Sequence, residues 1–412
     1  MPYDINAIRA EFRALAVTDA GQARIYLDAP GGTQVCRRAV VRMVEYMEQG
    51  TANDGGFFRT SRDTETVCEA AHEAVADLFG GRRSEIAFGA NMTSLVFACS
   101  RALARQWQAG DEIVLTRMDH DANVAPWLHI ARDVGLTVKW LDFDLTSWGY
   151  RLDTLPGLLN ARTRLVAVNY ASNALGTIND VAEITRIVRA HSSALVHVDA
   201  VQAMPHLPID VTAIGADIVV ASPYKFFGPH QGVLWGREAL LADLDVYKVR
   251  PATDTPAAAK LETGTPSYEA QAGTLGAVEH IAWIGETMAG SNGGRCAALR
   301  AGMALIADYE ATLGAQMLEG LQAVPGLTLH GLPTMTGRVP TFAITIHGHA
   351  SDDIARSLAA ENIFVWSGSF YAKEVIDRLN LPGGLVRLGP CHYNSTTEVE
   401  RTIAALSRIA RS

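Results

Sequence analysis

Residues 194–202 read Ala194-Leu195-Val196-His197-Val198-Asp199-Ala200-Val201-Gln202, and residues 218–225 read Ile218-Val219-Val220-Ala221-Ser222-Pro223-Tyr224-Lys225. Each opens on a short run that is apolar at nearly every position. A strand with one wet face would alternate, so these runs predict strands buried on both faces, as in a parallel sheet covered by helices. Each run then meets a charged or polar group at its carboxyl end, which is where such sheets bind ligands.

Working outward, the same rhythm holds from about residue 60 to 240. Arg62 to Phe79 is periodic as an amphipathic helix and stops at Gly80-Gly81. A strand over 85–89 leads into a helix over 91–107. Strands follow over 111–117, 137–142 and 164–170, with helices at about 126–134 and 182–191. Strands over 194–199, 216–221 and 232–235 complete the set. Alternation of this kind predicts an α/β fold with a mostly parallel central sheet. Past residue 245 the character changes to a Thr-, Pro- and Ala-rich loop, then two long helical stretches. Strand and helix alternate again over 327–412, the pattern of a smaller α+β domain. The expected division is a large domain over 21–285 and a small one made of 1–20 with 286–412.

Composition narrows the function. The chain has 412 residues with 35 Lys+Arg against 44 Asp+Glu, hence a formal charge of −9. Nucleic-acid binding is not expected, because it needs a basic face that displaces counterions. No membrane span is expected, since no apolar stretch of bilayer length occurs. Asp4, Arg9, Glu11 and Arg13 interrupt the start of the chain, so no signal-peptide core is read and a cytoplasmic location is expected. Five scattered cysteines without a CxxC, and no HExxH, point to no metal site. The absence of GxGxxG and GxxxxGK[ST] disfavours nicotinamide and P-loop chemistry.

The strand ends carry the chemistry. Asp199 closes an apolar strand, and a buried carboxylate needs a partner, whether a capped helix, a metal or a cationic ligand. Lys225 is one of only five lysines against 30 arginines, and it sits among Tyr224, Phe226 and Phe227. A lysine desolvated in this way has a lowered pKa and can form a Schiff base. Together with an aspartate to hold a pyridinium nitrogen, that is what pyridoxal phosphate requires. The turn Asn91-Met92-Thr93 opens a helix and offers free amides to a phosphate. His120, after another strand, could stack on an aromatic ring or move protons, or be structural. Asn173 could donate to a ring oxygen. Arg387, charged within the apolar strand 385–388, would suit a carboxylate unless it merely snorkels.

With these residues in place the chain resembles the class V aminotransferase family of fold-type I pyridoxal phosphate enzymes, and within it the cysteine desulfurase and selenocysteine lyase branch. The resemblance runs from Tyr26-Leu27-Asp28 to Tyr393-Asn394. It rests on the order and spacing of residues 119–127, 172–177, 198–203, 222–229 and 262–266. It implies pyridoxal 5'-phosphate as cofactor and an amino-acid substrate handled through an external aldimine. Lys225, Asp199 and His120 are then the catalytic set. Asn173 and Gln202 sit on the ring-oxygen side, and Asn91, Met92, Thr93 and Ser222 at the phosphate. Arg387, with Asn173, faces the substrate. The family is homodimeric with shared sites, and Gly264-Thr265 matches the segment that reaches the partner's phosphate.

Two departures from the desulfurases stand out. Tyr224 precedes Lys225 where those enzymes usually carry histidine. The loop Trp366-Ser367-Gly368-Ser369-Phe370-Tyr371-Ala372 holds no cysteine, and an ungapped match puts Tyr371 at the nucleophile's position. The expected activity is therefore that of an aminotransferase or of a desulfurase-like C–S/β-lyase. The alternatives are a true desulfurase using Cys391, whose own position matches an apolar core site, and a non-catalytic binding module on the same fold.

Overall fold

A computed structural model describes residues 3–412. Its main sheet has seven strands: β1 (Ile86–Gly89), β2 (Glu112–Thr116), β3 (Thr137–Leu141), β4 (Thr163–Asn169), β5 (Leu195–Asp199), β6 (Ile218–Ala221) and β7 (Gly232–Gly236). Their order is β1-β7-β6-β5-β4-β2-β3, and β7 alone runs against the others. The sheet is thus mixed but mostly parallel.

The continuous apolar runs are explained by two-sided cover. Val219 and Ala221 of β6 belong to one apolar cluster, while Ile218 and Val220 belong to the cluster on the opposite face. All four are fully buried. At about 1.5–3 kcal/mol for each large aliphatic side chain removed from water, neither face of this strand tolerates a polar residue before its carboxyl end.

Helices α1 (Arg37–Glu48), α2 (Arg59–Phe79), α3 (Met92–Ala104), α4 (Ala125–Val134), α5 (Val181–His191) and α6 (Tyr268–Thr287) surround this sheet. Helix α2 starts three residues before the position its periodicity indicated. It ends at Gly80, whose φ of 70° is the left-handed conformation that closes a helix. Helix α1 had no counterpart in the sequence reading. Its apolar residues share one broad side, with Arg38, Arg42, Glu45 and Glu48 opposite, yet Val40, Val41, Val44 and Met47 on that side remain partly exposed.

A second sheet has four antiparallel strands, β8 (Leu327–His330), β9 (Phe342–Ile346), β10 (Trp366–Gly368) and β11 (Leu385–Leu388), in the order β8-β9-β11-β10. Helices α8 (Ser351–Ala359) and α9 (Thr396–Ile409) cover it. The long helix α7 (Arg295–Ala323) joins the two bodies of core. Its Ala298, Leu299, Met303 and Ile306 pack in the large cluster, and its Leu313, Met317, Leu318 and Leu321 pack under the second sheet. The N-terminal segment divides likewise: Ile8 and Phe12 join the large cluster, whereas Ile25 and Leu27 join the second. Residues 25–26 pair in parallel with residues 363–364.

Candidate active site

Strands β1, β2, β4, β5 and β6 point their carboxyl ends at one edge of the main sheet, and the polar residues that follow them converge there. One cleft is lined by Asn91, Met92, Thr93, His120, Asn173, Asp199, Gln202, Ser222 and Lys225, together with Tyr224 and Asn169. Nine of the residues expected from sequence are thereby brought together.

Lys225 sits in a tight turn (Pro223–Lys225) immediately after β6 and is buried. Its Nζ donates to the main-chain oxygen of Pro30 and lies 5.1 Å from the centroid of the Tyr224 ring. Burial, reinforced by the positive charge of Arg387, brings its ammonium down to about 7. Asp199 is buried at the end of β5, and Oδ1 accepts the amide of Val201 at 2.9 Å. The local turn therefore uses one oxygen of this carboxylate. Burial pushes its carboxyl up to about 6, against the pull of the nearby Lys225 charge.

At the mouth of α3, Asn91 Oδ1 accepts the Ser94 amide at 2.8 Å and caps the helix. The first-turn amides of Met92 and Thr93 lie ahead of the intrahelical ladder, an anion-binding arrangement. This approach depends on Gly232, because a Cβ there would fall 2.2 Å from the Asn91 carbonyl carbon.

His120 follows β2 in a turn pinned by the buried Asp119, which accepts from Thr116 and, at 2.9 Å, from Asn123 Nδ2. His120 Nδ1 accepts the Ala122 amide at 3.0 Å, so the proton of the neutral ring resides on Nε2. Burial and the charges of Lys225 and Arg387 lower it to about 4, which keeps the ring uncharged at neutral pH.

Arg387 does not snorkel. It is buried in β11, between β9 and β10, and its Nη1 donates to the main-chain oxygen of Asn173 at 2.8 Å. Its guanidinium lies 4.3 Å from the centre of the Phe370 ring, and burial lowers it to about 9. Asn173 Nδ2 in turn donates to the main-chain oxygen of Phe370 at 2.9 Å. Phe370 and Tyr371 both have left-handed backbones, with φ of 57° and 55°, in a turn closed by Ala372 N donating to Ser369 O. That turn is fastened over the cleft by the Asp121 amide, which donates to Tyr371 O at 2.7 Å. Tyr371 is 74% exposed, and its ring lies 5.5 Å from the ring of His120.

Gly264 and Thr265 are not brought to the Lys225 cleft. They line a separate cavity of about 840 Å³ beside α2, with His72, Arg83 and Glu262. This cavity is larger, yet it contains neither Lys225 nor Asp199. The smaller cleft is where the buried cation and carboxylate meet, and it is the chemical site. Cys391 is fully buried, and burial raises its thiol well above the ordinary range, so it presents no thiolate to a substrate.

One residue has a larger part here than its sequence signal suggested. Asp28 ends the apolar run Ile25-Tyr26-Leu27, its Oδ1 is buried without a partner, and burial raises its carboxyl to about 6, with Arg387 and Lys225 acting the other way. It ends a strand as Asp199 does, and that shared signal could have singled it out.

The donor set fits pyridoxal phosphate. Asn173 Oδ1 and Gln202 Oε1 in the cleft, and Arg387 Nε beside it, are buried with no protein partner. Unpaired polar atoms of this kind are costly unless a ligand meets them. They stand with an amine, a carboxylate and a helix terminus, which match the aldehyde, ring nitrogen and phosphate of that cofactor. Among the described residues no group of His, Cys, Asp and Glu is placed to hold a metal ion, and no helix is long and apolar enough to cross a membrane.

Comparison with known proteins agrees with this chemistry. The family described as aminotransferase class-V matches residues 25–402. The chain is 32% identical to the aminotransferase-like protein FGM3 of Gibberella zeae, covering 99% of this chain and 98% of that one. It is 30% identical to a cysteine desulfurase of Serratia proteamaculans, covering 100% and 99%. Among solved structures, a cysteine desulfurase from Thermococcus onnurineus superposes with a TM-score of 0.85 at 25% identity, covering 94% of this chain and 95% of that one.

Proposed function

The chain belongs to the class V aminotransferase family, and from that premise we propose that its cleft binds an α-amino acid through Arg387 and moves the proton of its Cα through Lys225. The protein is a pyridoxal-phosphate-dependent enzyme. The outcome we assign is transamination or loss of a β-substituent, because neither needs a nucleophilic cysteine. One observation carries the reading: a buried lysine whose ammonium is brought down to about 7 shares a cleft with a buried carboxylate.

When bound, the cofactor supplies an electron-accepting ring that stabilises negative charge on the substrate carbon. The remaining work belongs to the chain. Asp199 holds the proton of the ring nitrogen by charge. The amides of Met92 and Thr93, with the Asn91 cap and the Ser222 hydroxyl, hold the phosphate. His120, kept neutral, packs on the ring face, and Asn173 and Gln202 meet the ring-oxygen edge. Arg387 presents its free Nε to the substrate carboxylate. Lys225 Nζ, its ammonium brought down to about 7 by burial, suits a general base that takes a proton and returns it.

Two of the alternatives lose ground. A desulfurase must carry sulfur on a thiolate, and Cys391 is buried and protonated, while Tyr371 occupies the place that the resemblance gives to the cysteine. A non-catalytic module would have no reason to keep Lys225 beside Asp199. We also propose a cytoplasmic homodimer with shared sites, in which the exposed Gly264 and Thr265 serve the partner's phosphate. The division into 21–285 and 1–20 with 286–412 belongs to the same reading.

The test is the visible spectrum of the purified protein before and after borohydride, followed by peptide mapping and by incubation with single amino acids. A borohydride-sensitive band fixed on Lys225 is expected. A keto acid as product identifies transamination, and pyruvate with a released β-group identifies the lyase. A band fixed on another lysine, or none after adding the cofactor, overturns the proposal.

A further inference from the structure

Behind Gln202 lies a buried polar pair that the chemistry above does not use. Gln202 lines the cleft, and its amide is held from the far side at Nε2. That atom donates to Thr341 Oγ1 at 3.2 Å and meets His206 Nε2 at 3.4 Å. His206 Nδ1 pairs with Glu310 Oε2 at 2.7 Å. His206 is 3% exposed and Glu310 is 2% exposed. Glu310 comes from α7, more than a hundred positions along the chain from His206. A carboxylate and a histidine taken out of water at this depth are costly, so a pair kept here invites a functional explanation.

We propose that the His206–Glu310 pair is a positioning device that fixes the side-chain amide of Gln202 where it faces the bound cofactor. The logic is that of tautomers. A proton on His206 Nδ1 donated to the Glu310 carboxylate leaves Nε2 as an acceptor. Gln202 then turns its NH2 toward His206 and Thr341, which leaves Oε1, the atom that has no protein partner, to accept a hydrogen bond from the ring hydroxyl. Without the pair, the amide is free to present either end to the ring-oxygen edge. Glu310 is itself faced by the Tyr3 hydroxyl, the Cys391 thiol and the His392 backbone. His392 contacts His280 at 3.0 Å through their ring nitrogens, so the pair sits in an enclosed polar pocket rather than at a wet surface. His206 and Glu310 act through Gln202 and touch no substrate.

The inference rests on the proposed cofactor reading, and its test separates the two. In the cofactor-loaded protein, the visible band is titrated with pH for the unmodified chain, Gln202→Leu, His206→Leu, Glu310→Gln and the Gln202→Leu/His206→Leu double variant, alongside thermal melting. Gln202→Leu and His206→Leu are expected to move the band's midpoint in the same direction by about half a pH unit or more, and the double variant no further than either single. Glu310→Gln, nearly isosteric, is expected to move it the same way by less. A purely structural pair would lower the melting temperature and leave the midpoint alone, and that result overturns the proposal. So does a double variant whose shift is the sum of the singles, or a Gln202→Leu midpoint that does not move. Should His206→Leu fail to fold, Glu310→Gln decides: an unmoved midpoint overturns the inference. Absence of any band in the unmodified protein overturns the cofactor reading itself, and this inference with it.

Discussion

Arg387 Nη1 donates to the main-chain oxygen of Asn173 at 2.8 Å across 214 positions of sequence. The bond ties the middle of the small sheet to the loop that follows β4 of the main sheet. The guanidinium is therefore oriented before any substrate arrives, with Nε left unpaired, and little rotamer freedom remains to be lost on binding.

Arg387→Ala should raise KM by about 10–100-fold, since a charge-assisted hydrogen bond is worth roughly 1.5–3 kcal/mol, and should lower kcat less. Arg387→Lys should fall between, because an ammonium keeps the charge and loses the fork. Steady-state kinetics with a turned-over amino acid checks both. An unchanged KM in the alanine variant would remove Arg387 from the carboxylate's binding site.

Lys225→Ala should cost about 10²–10⁴ in kcat or more, the range for losing a positioned proton-transfer group, and should end borohydride fixation of the cofactor to the chain. Added small amines should restore part of the rate if the lost function is the base. Near-normal turnover without them would sink the assignment.

Lys225 also sets a pH dependence. Its ammonium is lowered from 10.5 to about 7, so the neutral amine that attacks the cofactor's aldehyde accumulates as pH rises through 7. Uptake of pyridoxal phosphate by the cofactor-free chain, followed by the visible band, should accelerate through that value and level off above it. A rate that keeps climbing toward pH 10 would mean that Lys225 titrates as a solvated lysine. For folding the sign is different. The unfolded chain binds this proton more tightly between about 7 and 10.5, so the contribution of Lys225 to stability increases with pH across that window.

What sequence revealed and what it hid separate along chain distance. Strands β5 and β6 were legible because burial on both faces leaves an unbroken apolar run, and Asp199 and Lys225 stood out as polar breaks at the ends of those runs. Their environment was not legible. The Pro30 carbonyl that receives Lys225, the Phe370 ring over Arg387 and the Glu310 behind His206 each come from distant chain, with no local spacing to announce them. Asp28 carried the same strand-end signal as Asp199, but its run of three apolar residues was too short to read as a strand.

Tyr371 holds a left-handed backbone with φ of 55° and exposes 74% of its surface at the mouth of the cleft. For a residue with a Cβ that conformation costs about 1–2 kcal/mol, partly offset in a glycine variant by the looser unfolded chain. Tyr371→Gly should accordingly leave the melting temperature unchanged or slightly raised, while KM or the order of substrate preference shifts. Loss of stability with unaltered kinetics would show that the ring supports the turn and does not face substrate.

Cys391 tests the sulfur chemistry directly. It is fully buried, its Sγ faces the Glu310 and Tyr393 environment, and burial holds its proton on. Cys391→Ala should lower stability by about 1 kcal/mol for the lost packing and leave kcat/KM within about twofold. Incubating the unmodified protein with cysteine, then labelling persulfides and mapping them, should give none on Cys391 or on the other buried thiols, Cys36 and Cys99. A persulfide on Cys391, with turnover lost in the alanine variant, would restore the desulfurase reading, and would require the β11–α9 connection to open far enough to let the substrate reach a thiol that is now sealed.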